Sequence, residues 1–571
     1  MTGDITRLTD QARAWLVADP DPVTRQELES LLERVQGDDG AALADLEDRF
    51  SGSLTFGTAG LRARLGAGPM RMNRIVVAHA AHGLGLYLLA HQPAGERLSV
   101  VIGADARTNS DVFARETADI LSGMGIRALL ISGQIPTPVV AFAVRHLEAD
   151  AGVMVTASHN PPADNGYKVY LGGLDHGSQI IPPTDRDIHA QMMHSHTSVN
   201  YADIPRSSDN IELVGPGIVD DYIRQTAALL PAGDSVSRTA LRVCYTPLHG
   251  VGAAVFLPLL EKTGFRAPIV VREQATPDPT FPTVAFPNPE EPGALDLSVA
   301  TATSHSCDLI IAHDPDADRL AVAVPNTDMP SGWEILSGND LGVLLLADVA
   351  ERARQNGTSG TLACSIVSTP MISRLAADNG LRFVATPTGF KWISRPDNLL
   401  AGFEEAIGYL VNPDTVRDKD GISAGLALIH LAHRLHAEGK TLLDRLADIA
   451  SGYGGWASET ISLRLGSAHD VRNLMDTIRA NPTSLIGPDQ PTTLVDYQSH
   501  PPEGFFPTDL LELTTPDGGR LIVRPSGTEP KLKIYLDAVS DDANTARGVV
   551  TRLTDMVHRG LTALLPGREG V

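Results

Sequence analysis

Four segments of this chain gather side chains that together can move an anionic group. Thr156-Ala157-Ser158-His159-Asn160-Pro161 sets a serine hydroxyl just past the apolar run Ala151 to Val155, with His159 beside it and Lys168 downstream as a proton carrier. A serine so placed is a candidate nucleophile. The flanking glycines of a Gly-x-Ser-x-Gly elbow are absent, and Asn-Pro and Asn165-Gly166 also read as plain turn punctuation. The second segment, Asp314-Pro315-Asp316-Ala317-Asp318-Arg319, follows the apolar Leu309-Ile310-Ile311. Three carboxylates this close repel one another, and a hard cation compensates them. With no soft ligand nearby, Mg²⁺ or Mn²⁺ fits and copper does not. An EF-hand is excluded, because counting from Asp314 puts Arg319 where glycine is needed and Pro325 where glutamate is needed. A dehalogenase-type phosphatase site is closer, but Asp318 stands where such a site has Thr or Val.

The third segment is Gly402-Phe403-Glu404-Glu405-Ala406-Ile407-Gly408, followed by Arg417-Asp418-Lys419-Asp420-Gly421. Carboxylates in a glycine-bounded turn can take two sugar hydroxyls, and a surface turn would look the same. The fourth is Arg524-Pro525-Ser526-Gly527-Thr528-Glu529-Pro530. Its hydroxyls and backbone N–H groups suit an anion, and Arg524 adds a charge-assisted clamp. Arg520, Lys531 and Lys533 crowd this loop in a chain whose net charge is −23, which argues for an anionic ligand rather than an incidental β-turn. Together the segments supply a nucleophile, a metal cradle, a hydroxyl reader and a phosphate clamp, the parts needed to move a phosphoryl group on a sugar.

Short apolar strands alternating with helices position these loops. The runs at 98–103, 127–132, 151–155, 241–245, 308–312, 361–367 and 382–385 read as buried strands, with helices predicted over about 110–124, 252–263 and 338–353, the last capped by Gly338-Asn339-Asp340. Ligands bind at the carboxyl ends of such strands. Residues 5–50 read as helices, with Asp21-Pro22 as a start signal and Leu28, Leu31, Leu32 and Val35 on one face. Past about 455 the alternation at 458–465, 521–523 and 533–536 predicts a smaller α+β domain.

At 571 residues the chain has room for about four domains. The acidic balance excludes a basic nucleic-acid binder and disfavours an anionic membrane surface. A hydrophobic content of 43% excludes wholesale disorder, and no apolar run is long enough to span a bilayer. The acidic start, Met1-Thr2-Gly3-Asp4, carries no secretory pattern. Cys244, Cys307 and Cys364 are too scattered for a disulfide framework or zinc site and are expected on buried strands. A cytoplasmic protein, monomer or dimer, is the expectation.

With all four loops in order, the chain resembles the α-D-phosphohexomutases, the phosphoglucomutase/phosphomannomutase family, over roughly residues 50–540. Thr-Ala-Ser-His-Asn-Pro resembles the phosphoserine loop and Asp-Pro-Asp-Ala-Asp-Arg the metal loop. Phe56-Gly57-Thr58-Ala59-Gly60-Leu61-Arg62 and Thr386-Pro387-Thr388-Gly389-Phe390-Lys391 resemble substrate segments, and Arg-Pro-Ser-Gly-Thr the phosphate loop. The sugar loop departs from the common Gly-Glu-x-Ser-Gly, with Ala406 where a hydroxyl is usual. Its form, and the long N-terminal lead, resemble the branch with phosphopentomutases and glucose-1,6-bisphosphate synthases.

The resemblance implies an α/β fold of four domains around a central cleft, three of them similar and the fourth a smaller α+β domain. The expected spans are 1–210, 211–325, 326–453 and 454–571. It implies an intramolecular phosphotransferase acting on a small phosphosugar, glucose or mannose 1- and 6-phosphates, through a phosphoserine and a bisphosphorylated sugar, with Mg²⁺ as cofactor and a sugar 1,6-bisphosphate as activator. A phosphopentomutase or a bisphosphate synthase is the alternative. The implied catalytic set is Ser158, Lys168, His159, Arg62 and Arg319. Ser158 carries the phosphate and, with Asp314, Asp316 and Asp318, the metal. Substrate falls to Thr58, Thr388, Gly389, Lys391, Glu404, Glu405, Lys419, Arg524, Ser526, Gly527 and Thr528.

Overall fold

The computed structural model describes residues 2–56, 60–92, 97–231, 236–487, 493–526 and 531–565. Among them the strands form four sheets. They fall in two compact units, one of Met1–Ile335 with Asn412–His430, the other of Leu336–Val411 with Leu431–Val571.

In the first unit, the sheet nearest the N-terminus pairs Ser99–Ala104 in parallel with Arg127–Ile131 and Ala151–Val155, and Arg127–Ile131 with Ile211–Val214. Asp164–Leu171 then runs antiparallel to Ala151–Val155, with Leu61–Arg64 at its other side. The second sheet repeats the plan. Val243–Thr246 lies parallel to Ile269–Val270 and Leu309–His313, and Leu320–Pro325 turns back antiparallel. In the second unit, Thr361–Ser365 lies parallel to Arg382–Thr386 and Leu399–Glu404, and Gly408–Leu410 turns back on the last of these. The remaining sheet, Gly455–Arg464, Lys531–Ser540, Gly519–Pro525, Leu511–Thr514 and Thr493–Asp496, is antiparallel throughout. This is the expected fold class: three similar α/β sheets and a smaller α+β C-terminal domain.

The three α/β sheets share one device. A buried parallel strand ends, a short loop follows, and an antiparallel strand returns beside it. Each loop holds a non-glycine residue in the left-handed region, Ser158 at φ 52°, Ala317 at 53° and Ile407 at 53°. Such a backbone is uncommon for residues with a Cβ and persists where surrounding structure fixes it. The nucleophile, metal and sugar loops of the sequence reading are these three loops.

The N-terminal lead is three helices, Thr2–Ala18, Pro22–Gln36 and Gly40–Arg49. The carboxylate of Asp21 accepts the Val23 N–H, and Pro22 takes the first helical position, where no N–H is missed. Leu28, Leu31, Leu32, Ala42 and Leu46 enter one core with Leu61, Ile75, Val100 and Met192. Each buried leucine contributes roughly 1.5–3 kcal/mol.

The first sheet includes Ile211–Val214 and the second includes Trp333–Ile335. Three expectations need correction. The helix Gly338–Asn356 is capped by the Ser337 hydroxyl, which accepts the Asp340 N–H, not by Gly338-Asn339-Asp340. Asn165-Gly166 is no turn but part of the strand Asp164–Leu171. The cysteines are free and buried, but only Cys244 and Cys364 lie on strands, and Cys307 stands just before Leu309–His313. No helix among the described residues is long and apolar enough to cross a membrane.

Candidate active site

The metal loop leaves the end of Leu309–His313 and folds on itself, with Ala317 N–H donating to the Asp314 carbonyl at 2.9 Å. Gly250 permits a neighbouring turn to pack on it, since a Cβ there would stand 2.3 Å from Pro315 Cα. Asp314, Asp316 and Asp318 are fully buried. They can each offer an oxygen within 4.8 Å of the others, and no other such cluster occurs among the described residues.

Cations and hydroxyls from distant segments converge on these carboxylates. Lys168 Nζ donates to Asp316 Oδ2 at 2.9 Å and to Asp318 Oδ2 at 2.8 Å. Thr137 Oγ1 donates to Asp316 Oδ2 at 2.6 Å. Arg319 N–H donates to Asp314 Oδ1 at 3.0 Å, while its guanidinium lies 3.4 Å from Glu290 and 4.0 Å from Asp318. Lys419 Nζ comes within 3.3 Å of Asp318 Oδ2. Its segment is anchored where Asp418 accepts from Tyr170 and Gln179, and Asp420 from Tyr222. Lys419 thus faces the metal loop.

Two buried oxygens, Asp316 Oδ1 and Asp318 Oδ1, have no hydrogen-bond partner among the described residues. An unpaired buried polar atom costs about 1–3 kcal/mol. Three carboxylates with two unspent oxygens fit a hard divalent cation.

Ser158 stands at the edge of this cluster. Its Oγ donates to Asp314 Oδ2 at 2.8 Å and lies 3.1 Å from His159 Nδ1. Thr156 Oγ1 accepts the Ser158 N–H at 2.8 Å and donates to Asp105 Oδ2 at 2.6 Å. Arg107 holds the same loop from beneath. Its guanidinium donates to the carbonyls of Ser158, Asn160, Pro161 and Asp164, with the Ser158 bond at 2.7 Å. Arg62, on the strand beside Asp164–Leu171, donates to Asn160 Oδ1 at 3.1 Å.

The protonation states are set by this crowding. Burial, then Asp316 and Asp318, push the Asp314 carboxyl well above its usual range. Burial works the same way on Asp318, but Lys168, Lys419 and Arg319 outweigh it and hold that carboxylate low. For Lys168 burial favours the neutral amine, yet Asp316 and Asp318 prevail and keep the ammonium charged. His159 is held neutral by burial and then by Arg319 and Arg62.

The other predicted residues that the structure describes lie in the second unit. Glu404 ends Leu399–Glu404, and Glu405 Oε2 is taken up by the hydroxyls of Ser365 and Ser368 at 3.1 and 3.3 Å. Gly389, at φ 108°, opens the short helix Phe390–Ile393 next to Thr388, and Lys391 lies against the Trp392 ring at 5.8 Å. Arg524 and Ser526 sit at the end of Gly519–Pro525, where Ser526 N–H donates to the Lys531 carbonyl at 2.7 Å. Thr58, Gly527 and Thr528 lie outside the described residues. Arg520 does not join a positive cluster around Arg524, because it is spent on Asp537 and on the carbonyls of Ile366 and Ser368.

Sequence reasoning missed Arg107, Asp105 and Thr137. Their only signal was position, since Asp105 and Arg107 directly follow Ser99–Ala104 and Thr137 lies a few residues past Arg127–Ile131, both at carboxyl ends of parallel strands.

Residues 53–198, 220–327 and 337–453 match the family models of phosphoglucomutase/phosphomannomutase alpha/beta/alpha domains I, II and III, and residues 495–551 match the model of the C-terminal domain. The chain belongs to the α-D-phosphohexomutase superfamily. It is an enzyme of intramolecular phosphate transfer. A Haemophilus influenzae protein described as "Probable phosphomannomutase" is 45% identical, over 88% of this chain and all of its own. A phosphoribomutase of Saccharomyces cerevisiae is 34% identical over 94% of each chain. The crystal structure of a phosphoglucomutase/phosphomannomutase family protein from Burkholderia thailandensis has the same fold, with a TM-score of 0.67 at 20% identity, covering 89% of this phosphohexomutase and 97% of that chain.

Proposed function

We propose that the enzyme interconverts hexose 1-phosphates and 6-phosphates, glucose and mannose among them, through a phosphate carried on Ser158 and a bisphosphorylated sugar. The observation that carries this reading is the Ser158 hydroxyl on Asp314 at 2.8 Å, at the edge of a buried carboxylate cluster with unspent oxygens. Asp314, Asp316 and Asp318, with an oxygen of phosphorylated Ser158, would hold Mg²⁺. That ion, when bound, withdraws charge from the phosphoryl group in transfer.

The chain's own groups do the rest. In the first half-reaction the Oγ–P bond of Ser158 breaks as a sugar hydroxyl bonds phosphorus, and the proton of that hydroxyl ends on Ser158 Oγ. His159 Nδ1, neutral and 3.1 Å from that oxygen, is placed to carry it. In the second half-reaction the other phosphate of the bisphosphate returns to Ser158 with the proton moving the opposite way. Lys168, held as a cation by two carboxylates, is the general acid/base candidate and in that state donates to the oxygen bearing developing charge. Arg62 and Arg319 add positive charge, and Lys419, 3.3 Å from Asp318 Oδ2, joins them. Glu404 reads sugar hydroxyls, with Thr58, Thr388, Gly389 and Lys391 beside the substrate. Arg524, Ser526, Gly527 and Thr528 hold the phosphate that is not in transfer. A sugar 1,6-bisphosphate primes Ser158. We take the domains as 1–210, 211–325, 326–453 and 454–571, with the edge strands Ile211–Val214 and Trp333–Ile335 pairing across the first two bounds. Three free buried cysteines suit a reducing compartment, the cytoplasm.

A pentose 1-phosphate is the second reading, favoured by the Phe-Glu-Glu-Ala-Ile-Gly loop and the similarity to a phosphoribomutase. The test is turnover of glucose 1-phosphate, mannose 1-phosphate and ribose 1-phosphate with Mg²⁺ and glucose 1,6-bisphosphate. Preference for a hexose supports the first reading and preference for ribose the second. Net accumulation of bisphosphate would make the enzyme a synthase, and no turnover of any would overturn the proposal.

A further inference from the structure

Within the second unit, a buried polar chain joins the sugar loop to the strand that carries the phosphate clamp. Gly519–Pro525 bears Arg520 near its start and Arg524 near its end, four residues apart and so on one face of the strand. Arg520 is nearly buried, 13% exposed, and pairs at 2.8 Å with Asp537, which is 2% exposed. The same guanidinium donates at 2.8 Å to the Ile366 carbonyl and at 2.6 Å to the Ser368 carbonyl, in the turn after Thr361–Ser365. From that turn the chain continues to the sugar loop. Ser365 and Ser368 hydroxyls, 2.8 Å apart, both reach Glu405 Oε2, and Ser368 Oγ accepts the Glu405 N–H at 3.0 Å. Gly338 closes the other side, where a Cβ would stand 1.8 Å from the Glu405 carbonyl oxygen. Glu405 is therefore gripped through backbone and side chain, while Glu404 stands next to it, half-buried at the strand end.

We infer that Asp537, Arg520, Ser368 and Glu405 form a spacer that fixes the separation between the hydroxyl reader Glu404 and the phosphate clamp at Arg524, and that this spacing selects the length of the sugar phosphate. The inference rests on the proposed roles of Glu404 and Arg524. Two recognition groups held at a fixed separation discriminate ligands by span, because a ligand that satisfies one group misplaces the other, and a misplacement of about 1 Å can cost about 10²-fold in rate. Desolvated charge-assisted hydrogen bonds with matched partners suit this use, since they tolerate only a narrow geometry. Glu405 is on this reading a positioning residue, its carboxylate already occupied, and Arg520 positions the clamp without touching substrate.

The experiment compares kcat/KM for glucose 1-phosphate and ribose 1-phosphate in the wild type, in Arg520→Lys and in Ser368→Ala. Phosphoryl transfer from glucose 1,6-bisphosphate to Ser158 is measured alongside by intact mass. The wild type is expected to prefer one sugar by at least about tenfold. Each variant is expected to shrink that ratio at least fivefold, mostly through KM, with Ser158 still phosphorylated as in the wild type. Arg520→Lys keeps the charge but not the forked geometry, so a purely electrostatic or purely structural role would leave the ratio unchanged or lower both sugars equally. Either result overturns the spacer, as does a wild type that does not discriminate. Should Arg520→Lys fail to fold, judged by thermal melting, Ser368→Ala alone decides. Mannose 1-phosphate takes the place of glucose 1-phosphate if it is the hexose turned over, and if the wild type turns over none of the three sugars, it is the proposed function that fails.

Discussion

In the first unit the groups proposed to react are sealed: Ser158 is 3% exposed, Lys168 2%, and the three aspartates not at all. Charge there is balanced side chain against side chain. In the second unit Glu404, Thr388, Arg524 and Ser526 stay partly open, and the buried polar groups are spent on holding loops to one another. The difference separates two tasks. Transfer needs fixed dipoles and no competing water, so its parts are prepaid in the fold. Recognition needs access and must release its ligand, so apart from the buried Lys391 its parts stay half-open over buried supports.

Removing the nucleophile should break this division most sharply. Ser158→Ala is expected to lower kcat by at least about 10³-fold while sugar phosphate still binds, checked by turnover and direct titration. Peptide analysis of the wild type should find an acid-stable phosphate on Ser158, and an acid-labile aspartyl phosphate would favour Asp314 as nucleophile instead. Asp316→Asn removes one charge with little change of shape. Turnover should fall about 10²-fold and recover in part with excess Mg²⁺, with sugar-phosphate affinity nearly unchanged. Wild-type turnover indifferent to Mg²⁺ in this variant would reduce the cluster to an acidic turn. Arg107→Ala releases the carbonyls of the nucleophile loop, and kcat should drop about 10- to 100-fold with KM steady. A matching rise in KM would show that Arg107 serves the open side as well.

The smallest effect concerns stability away from the reaction. His79 is buried, with Nδ1 2.8 Å from Ser195 Oγ and its ring 5.1 Å from that of His196. Burial, then His196 and His82, lower its pKa to about 3. The unfolded chain, with a histidine near 6.5, binds this proton more readily between those values. Stability is therefore full above about pH 6.5 and falls as pH drops toward 3, by at most about 1.4 kcal/mol per pH unit for one such group. Thermal melts of the wild type and His79→Asn from pH 7.5 to 5 should converge as pH falls. Parallel curves would place the titration elsewhere.

Much of the proposed transfer machinery is legible in the sequence because its residues are local. Ser158 and the aspartates lie within single loops after buried apolar runs, and the Asp21-Pro22 start is a matter of adjacent residues. What escaped depends on the return of distant chain. Thr137 reaches Asp316 from a distant loop, and Arg520 likewise reaches Ser368. Neither distance leaves a pattern in the sequence. Ile211–Val214 and Trp333–Ile335 escaped for another reason. They are edge strands, short and partly exposed, with Leu213 67% exposed, so they show no apolar run.

The N-terminal helices have a consequence for how the enzyme is made. Their apolar face belongs to a core completed by residues as late as Met192. On a ribosome adding about 5–20 residues per second, the lead waits roughly ten to thirty seconds for its partners. During that interval Leu28, Leu31 and Leu32 have only the neighbouring helices Thr2–Ala18 and Gly40–Arg49 to pack against. Synthesis that stalls before residue 192 should yield aggregates rather than a stable fragment.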